Sequence, residues 1–255
     1  MGWLPGVDFI ITSPPYDDLR DYKGYKFDFE SIARSLYKVL KEGGVMIWVV
    51  SDAVKDGSES GTSFRQALYF KEIGFRLHDT MIYYKNNPVP QSGKRYNQHF
   101  EYMFAFSKGV PGVFNPIMED SKYSNGGVMR QYGRDGKRGW SARPRNEKKK
   151  RGNVFSYSIG GGHTTKDKIA FEHPAIFPEV LVRDQLLTWT NEGDLVYDPF
   201  MGSGTTAKVC RDLKRHYVGS EISKEYIDIA EKRLSSGGLL SVSYTHLTLP
   251  TIYSV

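Results

Sequence analysis

The chain predicts an α/β fold: a doubly wound, mostly parallel sheet carrying one irregular basic insertion. Three observations support this. Short β-branched and aromatic runs alternate with apolar residues at helical spacing, the pattern of strand–helix–strand units. No segment repeats. Between about 109 and 165 the periodicity gives way to Gly, Pro, Ser, Asn and basic residues, and so long an irregular stretch is uncommon unless functional. At 255 residues the chain has the length of one large α/β domain.

The elements follow in order. Val7 to Thr12 is a buried strand that ends at Ser-Pro-Pro. Phe29, Ile32, Ala33, Leu36, Tyr37 and Leu40 share one helical face, closed by Gly43-Gly44. Val45 to Val50 is the next buried strand, and Ser63 to Ile73 a helix ended by Gly74. His78–Lys85 and His99–Ser107 read as antiparallel neighbours. Beyond the irregular stretch come a helix over Pro178–Thr190, a strand at Leu195–Tyr197 and a helix over Thr205–Leu213. A strand at Tyr217–Glu221 and an amphipathic helix over Lys224–Leu234 follow.

Composition excludes several classes. The longest clean apolar run, Val45 to Val50, is far too short to cross a bilayer. Met1–Pro5 shows no basic region followed by an apolar one, so no secretory signal is expected. A single cysteine, Cys210, excludes an intrachain disulfide and a multi-cysteine metal site, so the reducing cytoplasm is the expected compartment. His99, His163 and His173 lack a spaced ligand set, and no metal is expected. The net charge of +6 is uneven: residues 121–170 hold 13 Lys/Arg against 3 Asp/Glu, a local +10, leaving −4 elsewhere. Arg143, Arg145, Lys148, Lys149, Lys150 and Arg151 sit in that block, with Tyr123, Tyr132, Trp140 and Tyr157 interleaved. Such a segment suits phosphate contacts and stacking on nucleic acid; a solvated loop is the plainer alternative.

Two motifs carry chemistry. Thr12-Ser13-Pro14-Pro15-Tyr16 stands at a strand end, where α/β sheets place ligands. The prolines stiffen the backbone, so the Pro14 carbonyl can be aimed. Ser13 offers a second acceptor and Tyr16 a flat face, a set that suits a planar group with an exocyclic amine. Asp198-Pro199-Phe200-Met201-Gly202-Ser203-Gly204-Thr205-Thr206 follows a second strand and opens a helix. It is not a phosphate-binding P-loop, since no Lys precedes the threonines. Gly202-x-Gly204-x-x-Ala207 with Glu221 at the next strand end also matches a loose dinucleotide fingerprint, so a nicotinamide-dependent oxidoreductase stands as a competitor.

Together the motifs resemble the S-adenosylmethionine-dependent DNA amino-methyltransferases, which act on cytosine N4 or adenine N6. The order of catalytic motif, basic insertion and cofactor motif resembles their permuted β-type arrangement, across roughly residues 7 to 236. Glu101–Lys108 resembles the strand before the target-recognition region, and His173–Glu179 the segment leading into the cofactor half. The resemblance implies a Rossmann-like methyltransferase fold: a catalytic half over 1–108, target recognition over 109–170 and a cofactor half over 171–240. It implies that Phe200, Gly202 and Gly204 line S-adenosylmethionine, with Pro199, Ser203 and Thr205 in the same loop. Asp198 would approach the methionine amino group, Glu221 the ribose hydroxyls, and Pro174 and Phe177 would pack nearby. Ser13 and the Pro14 carbonyl would accept hydrogen bonds from the amine of a flipped base, and Tyr16 would stack on it.

Ser-Pro-Pro-Tyr, rather than Asp-Pro-Pro-Tyr, leans by resemblance toward cytosine N4, with adenine N6 as the alternative. Methylation of a ring carbon would need a cysteine nucleophile, and Cys210 lies in a helix that packs on the sheet. Other readings are a DNA-binding module without activity and, for Asp17, Asp18 and Asp52, solvated carboxylates. The resemblance implies DNA as partner and allows a cognate restriction endonuclease. The family places a strand with an acidic residue before the catalytic strand, and only six residues precede Val7, so the amino end reads as cut. Val242–Thr251 is compatible, codon by codon, with a transposase-end sequencing adapter read in frame, so 241–255 are expected to be a non-native tail.

Overall fold

The computed structural model describes residues 6–15, 27–91, 93–121, 129–132, 138–141, 147–173 and 175–235. The chain divides into two compact units, one of residues 1–115 with 153–255 and one of residues 116–152. The larger unit contains, in order, β1 (Val7–Thr12), α1 (Phe29–Val39), β2 (Leu40–Val50), α2 (Thr62–Glu72), β3 (Arg76–Lys85) and β4 (Phe100–Ser107). It continues with β5 (Val154–Tyr157), α3 (Glu179–Trp189), β6 (Leu195–Asp198), α4 (Thr205–Asp212), β7 (His216–Gly219) and α5 (Lys224–Ser235).

These seven strands form one sheet in the order β5-β3-β4-β2-β1-β6-β7. β4 is antiparallel to β2 and β3, and every other neighbouring pair is parallel. Six strands therefore end at the same edge. From β1 the chain proceeds to β2 on one side, and from β6 to β7 on the other. The β1/β6 boundary is thus a topological switch point, where open α/β sheets hold ligands.

The core explains why β1 and β2 read as continuous apolar runs. Phe9, Ile10, Ile11, Met46, Ile47 and Trp48 are all fully buried, as central parallel strands covered on both faces must be. Trp48 donates its indole N–H to Gln66 at 2.9 Å, which satisfies both buried groups. α1 starts at Asp28, whose side chain accepts from the Ser31 amide. Its end differs from the expected Gly43-Gly44 stop. The helix gives way to strand at Leu40, and Lys108 caps it from β4's end, donating to the Tyr37 and Leu40 carbonyls at 2.8 and 2.9 Å. The two glycines lie inside β2, where Gly43 takes φ +79° and the register with β1 shifts.

The irregular stretch also divides differently from the 109–170 reading. Residues 116–152 form the separate unit, whereas Val154–Tyr157 is a strand of the main sheet, parallel to β3. Four residues alternating exposed and buried are too few for a period-2 signal to stand out. Tyr157, read as a nucleic-acid-facing aromatic, is instead buried, with its hydroxyl donating to Asp184 at 2.8 Å.

Within the smaller unit Met118–Asp120 pairs antiparallel with Lys148–Lys150, and Met129–Tyr132 with Arg138–Ser141. No described helix is long and apolar enough to cross a membrane.

Candidate functional site

The predicted motifs meet at the switch point. β1 and β6 pair through Phe9–Val196 and Ile10–Tyr197, and just beyond those pairs stand Thr12-Ser13-Pro14-Pro15 on one strand and Asp198-Pro199 on the other. The fully buried Thr12 hydroxyl donates to Asp198 Oδ1 at 2.7 Å and joins the two tips. Pro14 is buried, while Ser13 and Pro15 are half-buried. Tyr16 lies outside the described residues.

Asp198 organises the loop that follows it. Its Oδ1 also accepts from the Phe200 amide at 3.0 Å, and its Oδ2 accepts from the Thr206 hydroxyl at 2.6 Å in the first turn of α4. These hydrogen-bond donors are all neutral. Burial, with some help from the nearby Glu221 carboxylate, outweighs them and pushes the Asp198 carboxyl up to about 6. A buried carboxylate in that state suits a cationic ligand, which would favour its ionised form.

The loop from Met201 to Gly204 is held on its other side by the residues just past β7. The Met201 amide donates to the Ser220 carbonyl at 2.9 Å. Glu221 accepts from the Gly202 amide through Oε2 and from the Ile222 and Ser223 amides through Oε1, each at 2.9 Å. A carboxylate offers about four lone-pair positions, so Glu221 keeps capacity for a ribose hydroxyl. Gly202 has φ +50°, and a Cβ there would stand 3.0 Å from His173 Nε2. His173 in turn rests edge-on against Tyr226, with ring centres 4.2 Å apart. Phe200 packs against Phe27 at 5.6 Å, and both are partly buried against the core cluster. Phe177 is half-buried, and Pro174 lies outside the described residues.

The Ser203 and Thr205 side chains serve a partner the sequence did not single out. Arg233 of α5 is fully buried and donates to Thr205 Oγ1 at 2.9 Å and the Ser203 carbonyl at 3.1 Å. It also pairs with Asp167 at 2.8 Å and Glu179 at 2.6 Å. Lys208 of α4 pairs with the same two carboxylates at 2.7 and 2.9 Å, and Thr165 donates to Glu179 as well. Two cations thus balance two carboxylates around the start of α4. Burial pushes both carboxyls up, but hydrogen bonds from Lys208 and Arg233 to each, joined at Glu179 by Thr165, hold them below the usual range.

Cys210, on the same helix, is fully buried, and burial drives its thiol well above the ordinary range. Among the described residues, no group of three or more His, Cys, Asp or Glu could hold a metal ion. Of the basic block, Lys148, Lys149 and Lys150 are exposed and Arg151 half-buried; Lys149 pairs with Glu119 at 2.9 Å. Arg143 and Arg145 lie outside the described residues. Residues that build the site without a role predicted for them are Thr12, Thr206 and Arg233, the last with its partners Thr165, Asp167, Glu179 and Lys208. Thr12 and Thr206 lie within the two motifs. Arg233 sits four residues after Ile229, on the inward face of α5, and a charge at such a position is a signal in itself.

This architecture defines a nucleotide-cofactor enzyme of the doubly wound α/β class, with a Ser-Pro-Pro turn and a glycine loop side by side at the switch point. The family model of the N6/N4 DNA methylases, described as "DNA methylase", matches residues 7–232. The orphan methyltransferase M.BamHII of Bacillus amyloliquefaciens is 52% identical over 236 residues, 90% of this chain and 89% of that protein. The type II methyltransferase M.BglII of Bacillus subtilis is 31% identical, over 90% of this chain and 64% of its own length. Among solved structures, the M1.HpyAVI–SAM complex is 30% identical with a TM-score of 0.59 and covers 90% of each chain. The PvuII cytosine-N4-specific DNA methyltransferase, 22% identical, shares the fold with a TM-score of 0.64, over 92% of this chain and 82% of its own. The chain belongs to the N6/N4 DNA methylase family, and this membership sets aside the oxidoreductase reading of the glycine loop.

Proposed function

We propose that this DNA methylase places the methyl group on the exocyclic N4 amine of a cytosine flipped out of the duplex. The observation that carries the amine-transfer reading is the buried Thr12–Asp198 hydrogen bond, which sets the Ser13-Pro14 turn beside the Gly202–Gly204 loop; the choice of cytosine N4 over adenine N6 rests on the resemblance of Ser13-Pro14-Pro15-Tyr16. The methyl donor is S-adenosylmethionine, which supplies an electrophilic sulfonium methyl when bound. The Gly202–Gly204 loop, whose two glycines take φ +50° and +77°, holds it, Glu221 takes ribose hydroxyls, and Asp198 contributes negative charge toward its cationic end.

An exocyclic amine is a poor nucleophile because its lone pair delocalises into the ring. Ser13 and the Pro14 carbonyl each accept one amine hydrogen, which favours the tetrahedral amine and aims its lone pair. Tyr16 stacks on the base. The work of the chain is positioning and preorganised polarity, without a covalent intermediate. Cys210, buried with its thiol pushed upward, is unsuited to attack a ring carbon.

Digestion of methylated DNA to nucleosides, followed by mass spectrometry, tests the target. N4-methylcytosine is expected. N6-methyladenine would move the target to the other amine, and 5-methylcytosine would overturn the amine mechanism itself. DNA is the substrate, acted on in the cytoplasm, and the family allows, without requiring, a restriction endonuclease blocked by the same methyl group as a partner.

Two further outcomes are expected. Glu221→Ala should weaken S-adenosylmethionine binding about ten- to a hundredfold, since charge-assisted hydrogen bonds are worth roughly 1.5–3 kcal/mol. Calorimetric affinity equal to wild type would remove this residue from the site. Neutralising Lys148, Lys149, Lys150 and Arg151 together should weaken binding to every DNA sequence alike. It should also flatten the salt dependence, by about 0.9 for each phosphate no longer neutralised. An unchanged slope would leave these residues as a solvated edge.

A further inference from the structure

We infer that Thr12 is a positioning residue for methyl transfer: its hydroxyl, clamped to Asp198, fixes the distance between the acceptor turn and the cofactor loop. The inference rests on the function proposed above and adds a residue to it. Three observations support it.

The first is where backbone pairing stops. The β1/β6 ladder ends at Ile10–Tyr197, two residues short of Thr12, whereas β1 stays paired to β2 through Thr12–Trp48. On the β6 side, where the cofactor loop begins, the hydrogen bond from Thr12 to Asp198 therefore ties the catalytic tip down.

The second is chemical. Thr12 is fully buried and Asp198 nearly so at 4% exposed, so water does not compete for the bond. A hydroxyl donating to a carboxylate is a strong, short contact, and 2.7 Å fits it.

The third is what else Asp198 holds. Two of its other acceptor positions take the Phe200 amide and the Thr206 hydroxyl, so the carboxylate is rigidly part of the cofactor loop and the start of α4. The residue after Thr12 is Ser13, one of the two proposed acceptors for the amine. One carboxylate thus joins the donor and acceptor halves of the reaction across 186 residues of sequence.

Transfer between two bound groups is steep in distance; a misplacement of about 1 Å can cost on the order of a hundredfold. Losing the Thr12 hydroxyl leaves Phe200 and Thr206 still holding Asp198, so cofactor binding should survive while the acceptor tip loses its register. The expected result for Thr12→Val is a kcat about ten- to a hundredfold below wild type, with S-adenosylmethionine affinity changed less than threefold by calorimetry. Thr12→Ser keeps the hydroxyl and should restore kcat to within about threefold. Should Thr12→Val be too unstable to assay, Thr12→Cys, with a weaker donor of similar size, should give an intermediate kcat.

An active wild type with undiminished kcat in Thr12→Val, or in the Cys variant, overturns the inference alone. So does a Thr12→Val whose entire loss lies in cofactor affinity, or a Thr12→Ser as impaired as Val. A wild-type chain that transfers no methyl group to DNA overturns the functional reading and this inference with it.

Discussion

Replacing Arg233 with methionine should lower the unfolding midpoint of the ligand-free chain by roughly 10 °C at neutral pH. The guanidinium is fully buried and bridges Asp167, Glu179, Thr205 and the Ser203 carbonyl. Methionine fills much of the space but leaves two partly buried carboxylates sharing Lys208 alone. Removing one partner from a buried ion cluster costs about 3–5 kcal/mol. In a chain of this size each kcal/mol moves the midpoint by roughly 2–4 °C.

The sign of the pH dependence follows from the carboxyls. Asp167 and Glu179 are held below their ordinary range in the folded chain. The cluster's contribution is therefore present above the unfolded carboxyl range and fades as pH falls through the folded values. The deficit of Arg233→Met should shrink in acid. Calorimetric scans at neutral and acidic pH measure both effects, and a drop below about 2 °C at neutral pH would show that the cluster contributes little. Since Arg233 also holds Ser203 and Thr205, the variant should bind S-adenosylmethionine less tightly even where it remains folded.

Much of this architecture could be read from the residues, and the exceptions have physical causes. β1 and β2 were visible because central parallel strands are buried on both faces and need unbroken apolar runs. The positions of the Ser-Pro-Pro turn and the glycine loop were visible because both need residue types with special backbones, proline in one and glycine in the other. β5 was hidden: four residues between glycine-rich and basic neighbours carry too little pattern, and pairing with β3 supplies what local sequence lacks. The end of α1 was misplaced because Lys108, 68 residues beyond Leu40, does the capping that Gly43-Gly44 suggested locally. The ion cluster was hidden for a similar reason. Thr165, Asp167, Glu179, Lys208 and Arg233 are scattered along the chain, and only the packing of α4 and α5 against the segment before α3 gathers them.

Asp198→Asn should make the ligand-free chain more stable than wild type at neutral pH, and the advantage should disappear in acid. Burial pushes the Asp198 carboxyl up to about 6 in the folded chain, against 3.8 ordinarily. Between those values the folded chain binds more protons than the unfolded one, so stability falls as pH rises through this window. Above about pH 6 the full penalty applies, on the order of 3 kcal/mol at 1.36 kcal/mol per pH unit. Asparagine carries no charge and escapes it. Its oxygen can still accept from Thr12 and the Phe200 amide, and the Thr206 hydroxyl can turn to accept from the new amide. Denaturant unfolding of both proteins between pH 4 and 8 should show curves that diverge as pH rises; parallel curves would place Asp198 in an unstrained state. The same variant should bind S-adenosylmethionine more weakly, because the negative charge proposed to face the cofactor's cationic end is gone. A carboxylate that destabilises the empty fold yet, in the proposed role, strengthens cofactor binding would account for an acidic group buried in the crevice.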